Sequence, residues 1–273
     1  MTRLLDWKRL RILTREAIHD AFRRRIVFAV LVLCFLGLMM LNTCTSCQGQ
    51  VEIQGNVAQG LDLSAWSGFG LFGVLCLWTI TLAGLLASDQ LTQSLADGNA
   101  LLALSRPVGL ASYVVSRLLG ALAVALLPGL VLLVGAAFLL MGRLGLSPAP
   151  AVLATLFCVG NSIAIASFAM AASLYLPRVA NFLLTLVVIG VMSSTNLAAV
   201  AGMELSGIYR LADRLGPPLA SSVAVALAPW AGRMPSGITL FDVTLRTGFW
   251  ATVGVVTLVA VFRRWEIEGP TDR

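Results

Sequence analysis

The chain has 273 residues, of which 58% are hydrophobic and only 12% charged, with a formal net charge of +6. A soluble domain carries roughly a quarter of its residues as charged side chains, so this chain has too few to cover a water-exposed surface. Composition excludes an ordinary soluble protein and points to one that spans a membrane.

In chain order, residues 1–25 place Leu10, Leu13, Ala17 and Ala21, joined by Ile18 and Phe22, at helical spacing. Arg11, Arg15, Asp20 and Arg23 fill the other side. That pattern predicts an amphipathic helix lying on the membrane surface. A spanning helix needs ~20 mostly apolar residues, and six runs qualify: 26–43, 67–87, 113–141, 151–176, 179–201 and 244–262. Their continuous apolar character argues for helices and against the alternating strands of a barrel. The first run is read as a retained span, because no small-x-small cleavage site follows Leu41. The expected fold is all-α: one polytopic transmembrane domain covering 1–273, with six transmembrane helices.

Residues 44–66 form a polar loop without a basic residue, opening on Cys44 and Cys47. This C-x-x-C pair is open to a local disulfide, free thiols, a metal site or a redox pair. Residues 95–107, LADGNALLALSRP, interrupt the hydrocarbon between the second and third spans. Leu95, Leu101, Leu102 and Leu104 bracket a polar edge of Asp97, Gly98, Asn99 and Arg106, and Pro107 stops the segment. A short amphipathic helix is predicted there. Asn161, Ser162, Ser167 and Ser173 lie in the fourth span, and Ser193, Ser194, Thr195 and Asn196 in the fifth. Such neutral polar groups bond between helices or line a wet path. In the segment 202–243, Leu205, Ile208, Tyr209, Ala212 and Leu215 share a helical face opposite Arg210, Asp213 and Arg214. The apolar run 218–232 that follows is too short to cross and is read as re-entrant or interfacial.

Placing the N-terminus inside puts 14 of the 19 basic residues on the cytoplasmic side and leaves Arg143, Arg210, Arg214, Arg233 and Arg246 outside. Both termini are then cytoplasmic. The positive charge reads as a topology signal, with no nucleic-acid partner expected. Lys8 is the one lysine and no phosphate-binding Gly-x-x-x-x-Gly-Lys-Ser/Thr motif exists. His19 is the one histidine, so neither a His-based metal site nor a triad is expected. No Asp, Glu or Lys lies mid-span, which weighs against an ion-coupled carrier. The chain is expected not to be an enzyme.

Residues 88–120, SDQLTQSLADGNALLALSRPVGLASYVVSRLLG, together with REAIHDAFRRR at 15–25, resemble the ABC-2 type permeases, the membrane subunits of ABC exporters. The layout is most similar to the nitrous-oxide-reductase maturation permease type. Asn99 stands where that family usually has Thr, Asp89 where it has Glu, and Arg117 where it has Lys. The resemblance implies a coupling helix at 95–107 that docks into a separate ATPase subunit. Its contact would be made by Asp97, Gly98, Asn99, Leu101, Leu102 and Arg106, with Arg15 and Glu16 on the surface helix nearby. It implies two ATPase copies, a second permease subunit that is identical or related, and a place in the bacterial cytoplasmic (inner) membrane. ATP and magnesium would bind the partner ATPase, and no cofactor this chain. The alternative is a non-transporting membrane scaffold that anchors another complex.

Overall fold

The computed structural model describes residues 11, 12, 14–16, 18, 52, 53, 56, 57, 63–96, 109–204, 206–232 and 238–268. Residues 11, 12, 14–16 and 18 are helical. Two short strands, β1 (Glu52–Ile53) and β2 (Asn56–Val57), pair antiparallel. Then come α1 (Leu63–Ala96), α2 (Leu110–Leu144), α3 (Pro148–Ala172), α4 (Arg178–Val200), α5 (Gly207–Leu215), α6 (Leu219–Ala231) and α7 (Leu240–Glu268). Among the described residues five helices, α1 to α4 and α7, are long and apolar enough to cross a membrane, and α6 is a shorter apolar helix. The architecture is that of a multi-pass membrane protein. The expected first span, 26–43, lies outside the described residues.

The helices outrun the apolar stretches that predict them. At 1.5 Å per residue, the 34 residues of α1 extend about 51 Å, well beyond a hydrocarbon core of ~30 Å. One boundary differs from expectation. The amphipathic stretch beginning at Leu95 starts as a direct continuation of α1, which runs unbroken to Ala96. SDQLTQSLA contains neither Gly nor Pro, so nothing in it stops the helix.

Helix α3 is the axis of the bundle, packed against α1, α7 and α6. Its buried side is rich in Ala and Ser, including Ala154, Ser162, Ala164, Ala166 and Ser167, and small residues let helix backbones approach closely. The apolar core comprises two large clusters and a small one of Leu82 and Leu132. Of the large two, one gathers Phe72, Ile80, Leu133, Phe157, Leu227 and Trp230, with Phe72 and Trp230 edge to face at 5.6 Å. The other gathers Leu91, Tyr113, Leu122, Met170, Leu258 and Phe262.

Helix α4 is inverted relative to a helix of a soluble protein. Its buried side is mostly polar: Asn181, Thr185, Ser193, Thr195 and Asn196, with Ile189 among them. Phe182, Leu183, Leu184, Val187 and Val188 face outward. Apolar side chains lose nothing by facing lipid, whereas unpaired polar groups there would be costly. The polar side is therefore the one that packs inward. Most hydroxyls in the spans bond back to their own helix, as Thr185 does to the Asn181 carbonyl (2.8 Å) and Ser162 to that of Cys158 (2.8 Å).

The closest approach of α2 to α1 occurs at Pro128-Gly129, where a methyl on Gly129 would collide with the Thr79 side chain. Gly129→Val is expected to lower the unfolding temperature of the detergent-solubilised protein, at a cost of about 1–3 kcal/mol. Gly73→Ala, whose methyl would meet nothing within 4 Å, should leave it unchanged or slightly raised. Thermal unfolding followed by size-exclusion chromatography distinguishes the two.

Candidate functional site

Asp97, Gly98, Asn99, Leu101, Leu102 and Arg106, and likewise Cys44 and Cys47, lie outside the described residues. Arg15 and Glu16 are helical and exposed. Among the described residues no group of three or more His, Cys, Asp or Glu could hold a metal ion. The most elaborate polar site is one that sequence reading passed over: the junction between α5 and α6.

That junction is Gly216-Pro217-Pro218, and it is packed inside the bundle, reached by Asn196 near the end of α4 and by Arg246 near the start of α7. Asn161, which reaches it, is the fourteenth residue (148 to 161) of the 25-residue α3. Gly216 packs so closely on α4 that an added Cβ would strike Met192 Sδ at 2.7 Å. Exposed irregular backbone is not tolerated at membrane depth unless protein satisfies its polar groups. Each proline creates a specific deficit, because it has no N–H to return to the carbonyl four residues earlier. Pro217 leaves the Asp213 carbonyl without its helical partner.

Side chains from three spans supply what is missing. Arg246 of α7 donates to the Asp213 carbonyl and, at 2.9 Å, to the Gly216 carbonyl. Trp250, one turn further along α7, donates from Nε1 to the Leu215 carbonyl at 2.9 Å. From α4, Asn196 accepts the Ala220 N–H on Oδ1 (3.2 Å) and donates Nδ2 to the Asp213 carboxylate (2.9 Å). From α3, Asn161 donates to Ser222 Oγ at 2.8 Å and to the Pro218 carbonyl at 3.4 Å. The C-terminus of α5 is thereby capped from outside by α7, and the N-terminus of α6 by α4 and α3.

Charge bias expects Arg246 among the exterior residues, and it is the seventh residue of α7 (240 to 246), with its side chain 19% exposed and Asp242 3.8 Å away. Hydrogen bonds to a charged group contribute about 1.5–3 kcal/mol each, so the two carbonyls offset part of the cost of holding the guanidinium there, while Arg246 Nε is buried without a partner. Asn161 Oδ1, Ser193 Oγ, Ser221 Oγ and Thr247 Oγ1 are buried with no hydrogen-bond partner.

Next to the junction, α1, α4 and α6 enclose a groove of about 220 Å³ lined by Phe69, Gly70, Gly73, Val74, Leu197, Ala220 and Val223 among others. Its lining is apolar, and it is larger than the ~150 Å³ cavity that admits benzene. At the other end of α4 an ion pair joins it to α1: Arg178 lies 2.9 Å from Asp89 Oδ2. Helix α4 is thus tied to α1 at its first residue and to the α5–α6 junction near its last turn.

Arg246→Met strands the Asp213 and Gly216 carbonyls in a site that admits little water. Each buried group left unsatisfied costs about 1–3 kcal/mol, so a marked fall in unfolding temperature is expected, with new proteolytic cleavage between α4 and α6. Arg246→Lys should recover only part of the loss, because both bonds come from Nη2 at the tip of the longer side chain and a lysine ammonium must stretch to reach that position. Limited proteolysis of the solubilised protein reads both. No protein-family model matches the chain, and no curated protein matches it either.

Proposed function

We infer that the chain is the permease subunit of an ABC-2 type exporter, moving a substrate across the bacterial cytoplasmic membrane with ATP hydrolysed by a separate subunit. One observation carries the reading beyond the sequence motifs. A short exposed helix, α5, broken by prolines from a short buried one, α6, stands immediately before the long helix α7, where the resemblance expects a re-entrant segment. The helix that leads into the coupling segment, α1, ends at Ala96, one residue before Asp97.

The mechanism follows from how the ends are tied. Force received at 97–107 enters the chain next to the end of α1 at Ala96. The Asp89–Arg178 pair passes displacement of α1 to α4. Asn196, at the far end of α4, holds the junction of α5 and α6. A rigid helix pinned at both ends converts a push at one membrane face into a tilt at the other. The apolar groove beside α6 changes shape with that tilt, and its lining favours an apolar or amphipathic cargo over a small ion.

Copurification of the tagged full chain with a P-loop ATPase encoded beside it tests the first half. Leu101→Asp with Leu102→Asp is expected to abolish that association, and unchanged association and transport would remove the coupling assignment. For the second half, Arg178→Ala should keep the ATPase bound while lowering transport per ATP hydrolysed. Charge reversal at both sites (Asp89→Arg with Arg178→Asp) should restore much of the coupling. A partly exposed pair contributes only about 0–1 kcal/mol to stability, so the readout is transport and not unfolding temperature.

A further inference from the structure

Helix α5 carries its polarity the wrong way round for contact with water. Ile208, Leu211, Ala212 and Leu215 occupy positions i, i+3, i+4 and i+7, the spacing of a single face. A helix resting on its own protein would bury that face. Here Ile208 is 74% exposed, Leu211 57% and Leu215 63%. It is the polar Asp213 that turns to the bundle, held by Asn196 and by the cap that Arg246 places on its carbonyl. The orientation is therefore fixed by hydrogen bonds, and the apolar face is directed outward.

The surroundings identify what that face meets. The outward residues of the flanking spans are also apolar: Leu197 on α4, and Leu245 and Phe249 on α7, are all exposed. The C-terminal end of α5 is anchored to side chains inside the spans, so the helix lies at the margin of the apolar belt. Arg210 and Arg214, four residues apart, are both exposed and sit on the polar side of α5. An apolar face backed by arginines on the polar side is the pattern of a helix that meets a phospholipid with both its parts.

We propose that α5 is a docking surface for anionic phospholipid in the leaflet at the Ser147 end of the bundle. Ile208, Leu211 and Leu215 enter the acyl boundary while Arg210 and Arg214 engage the phosphate. Because α5 is joined through Gly216-Pro217-Pro218 to α6, bound lipid acts directly on the re-entrant helix. The surface stands whether or not an ATPase binds the chain.

The test uses the full chain reconstituted into vesicles of phosphatidylglycerol and phosphatidylcholine in equal parts. Benzoylphenylalanine replaces Leu211, and lipid retained after extraction is measured by mass spectrometry. The expected result is photo-adducts to lipid and a retained pool enriched in phosphatidylglycerol. Arg210→Gln with Arg214→Gln should reduce that enrichment by roughly fivefold per arginine, whereas replacing both with Lys keeps most of it. Neither variant touches the Asp213 anchor, and unchanged unfolding temperatures would verify that. Adducts to a second copy or to another protein, or wild-type retention without preference between the two lipids, would overturn the proposal.

Discussion

A backbone inside a membrane must find a partner for every N–H and C=O, and the α5–α6 junction is where this chain meets that demand with side chains. Two consecutive prolines stop α5 against the bundle and start α6 inside it. Without donors for the Asp213, Leu215 and Gly216 carbonyls, the turn would belong outside the apolar belt. Arg246, Trp250, Asn196 and Asn161 allow it to stay. Those four residues belong to three separate spans, so the junction also sets how α3, α4 and α7 stand relative to one another. Helix α4 shows the same rule over its whole length, with Asn and Thr inside and Leu, Val and Phe outside.

The long elements were legible because each states its nature locally. A run of twenty apolar residues reads as a span wherever it falls, and the runs at 67–87, 113–141, 151–176, 179–201 and 244–262 each lie within a helix or overlap most of one. The shortness of 218–232 was equally plain. The partners at the junction were not legible, because their meaning is relational. Asn161, Asn196 and Arg246 are separated by 35 and 50 residues (161 to 196, 196 to 246), and no periodicity links them. Asn161 and Asn196 were recognised as groups that bond between helices or line a wet path, and both bond across helices. Arg246 was counted as a topology charge, since hydropathy alone cannot distinguish a rim arginine from one that caps a broken helix. The ends of the α1–α4 ion pair, 89 residues apart, were similarly silent.

The inverted polarity of α5 belongs with this second kind of information. Its periodic face was visible in sequence, but periodicity says only that a face exists, not what it faces. Hydrogen bonds from the bundle to Asp213 settle that by fixing the helix about its own axis. The same apolar residues, rotated by half a turn, would have been core.

The position of Arg246 has a consequence for how the protein is made. Its helix, α7, has the lowest mean hydropathy of the five long ones, 1.6 against 2.6 for α2. It also leaves the ribosome after α5, the proline junction and α6. The carbonyls that neutralise its arginine are therefore already synthesised when the guanidinium reaches the bilayer. Were the order of these elements reversed in a circular permutant, the arginine would arrive first and wait unpaired. Chain order thus belongs to the design, because α7 is admitted to the membrane by a site prepared ahead of it.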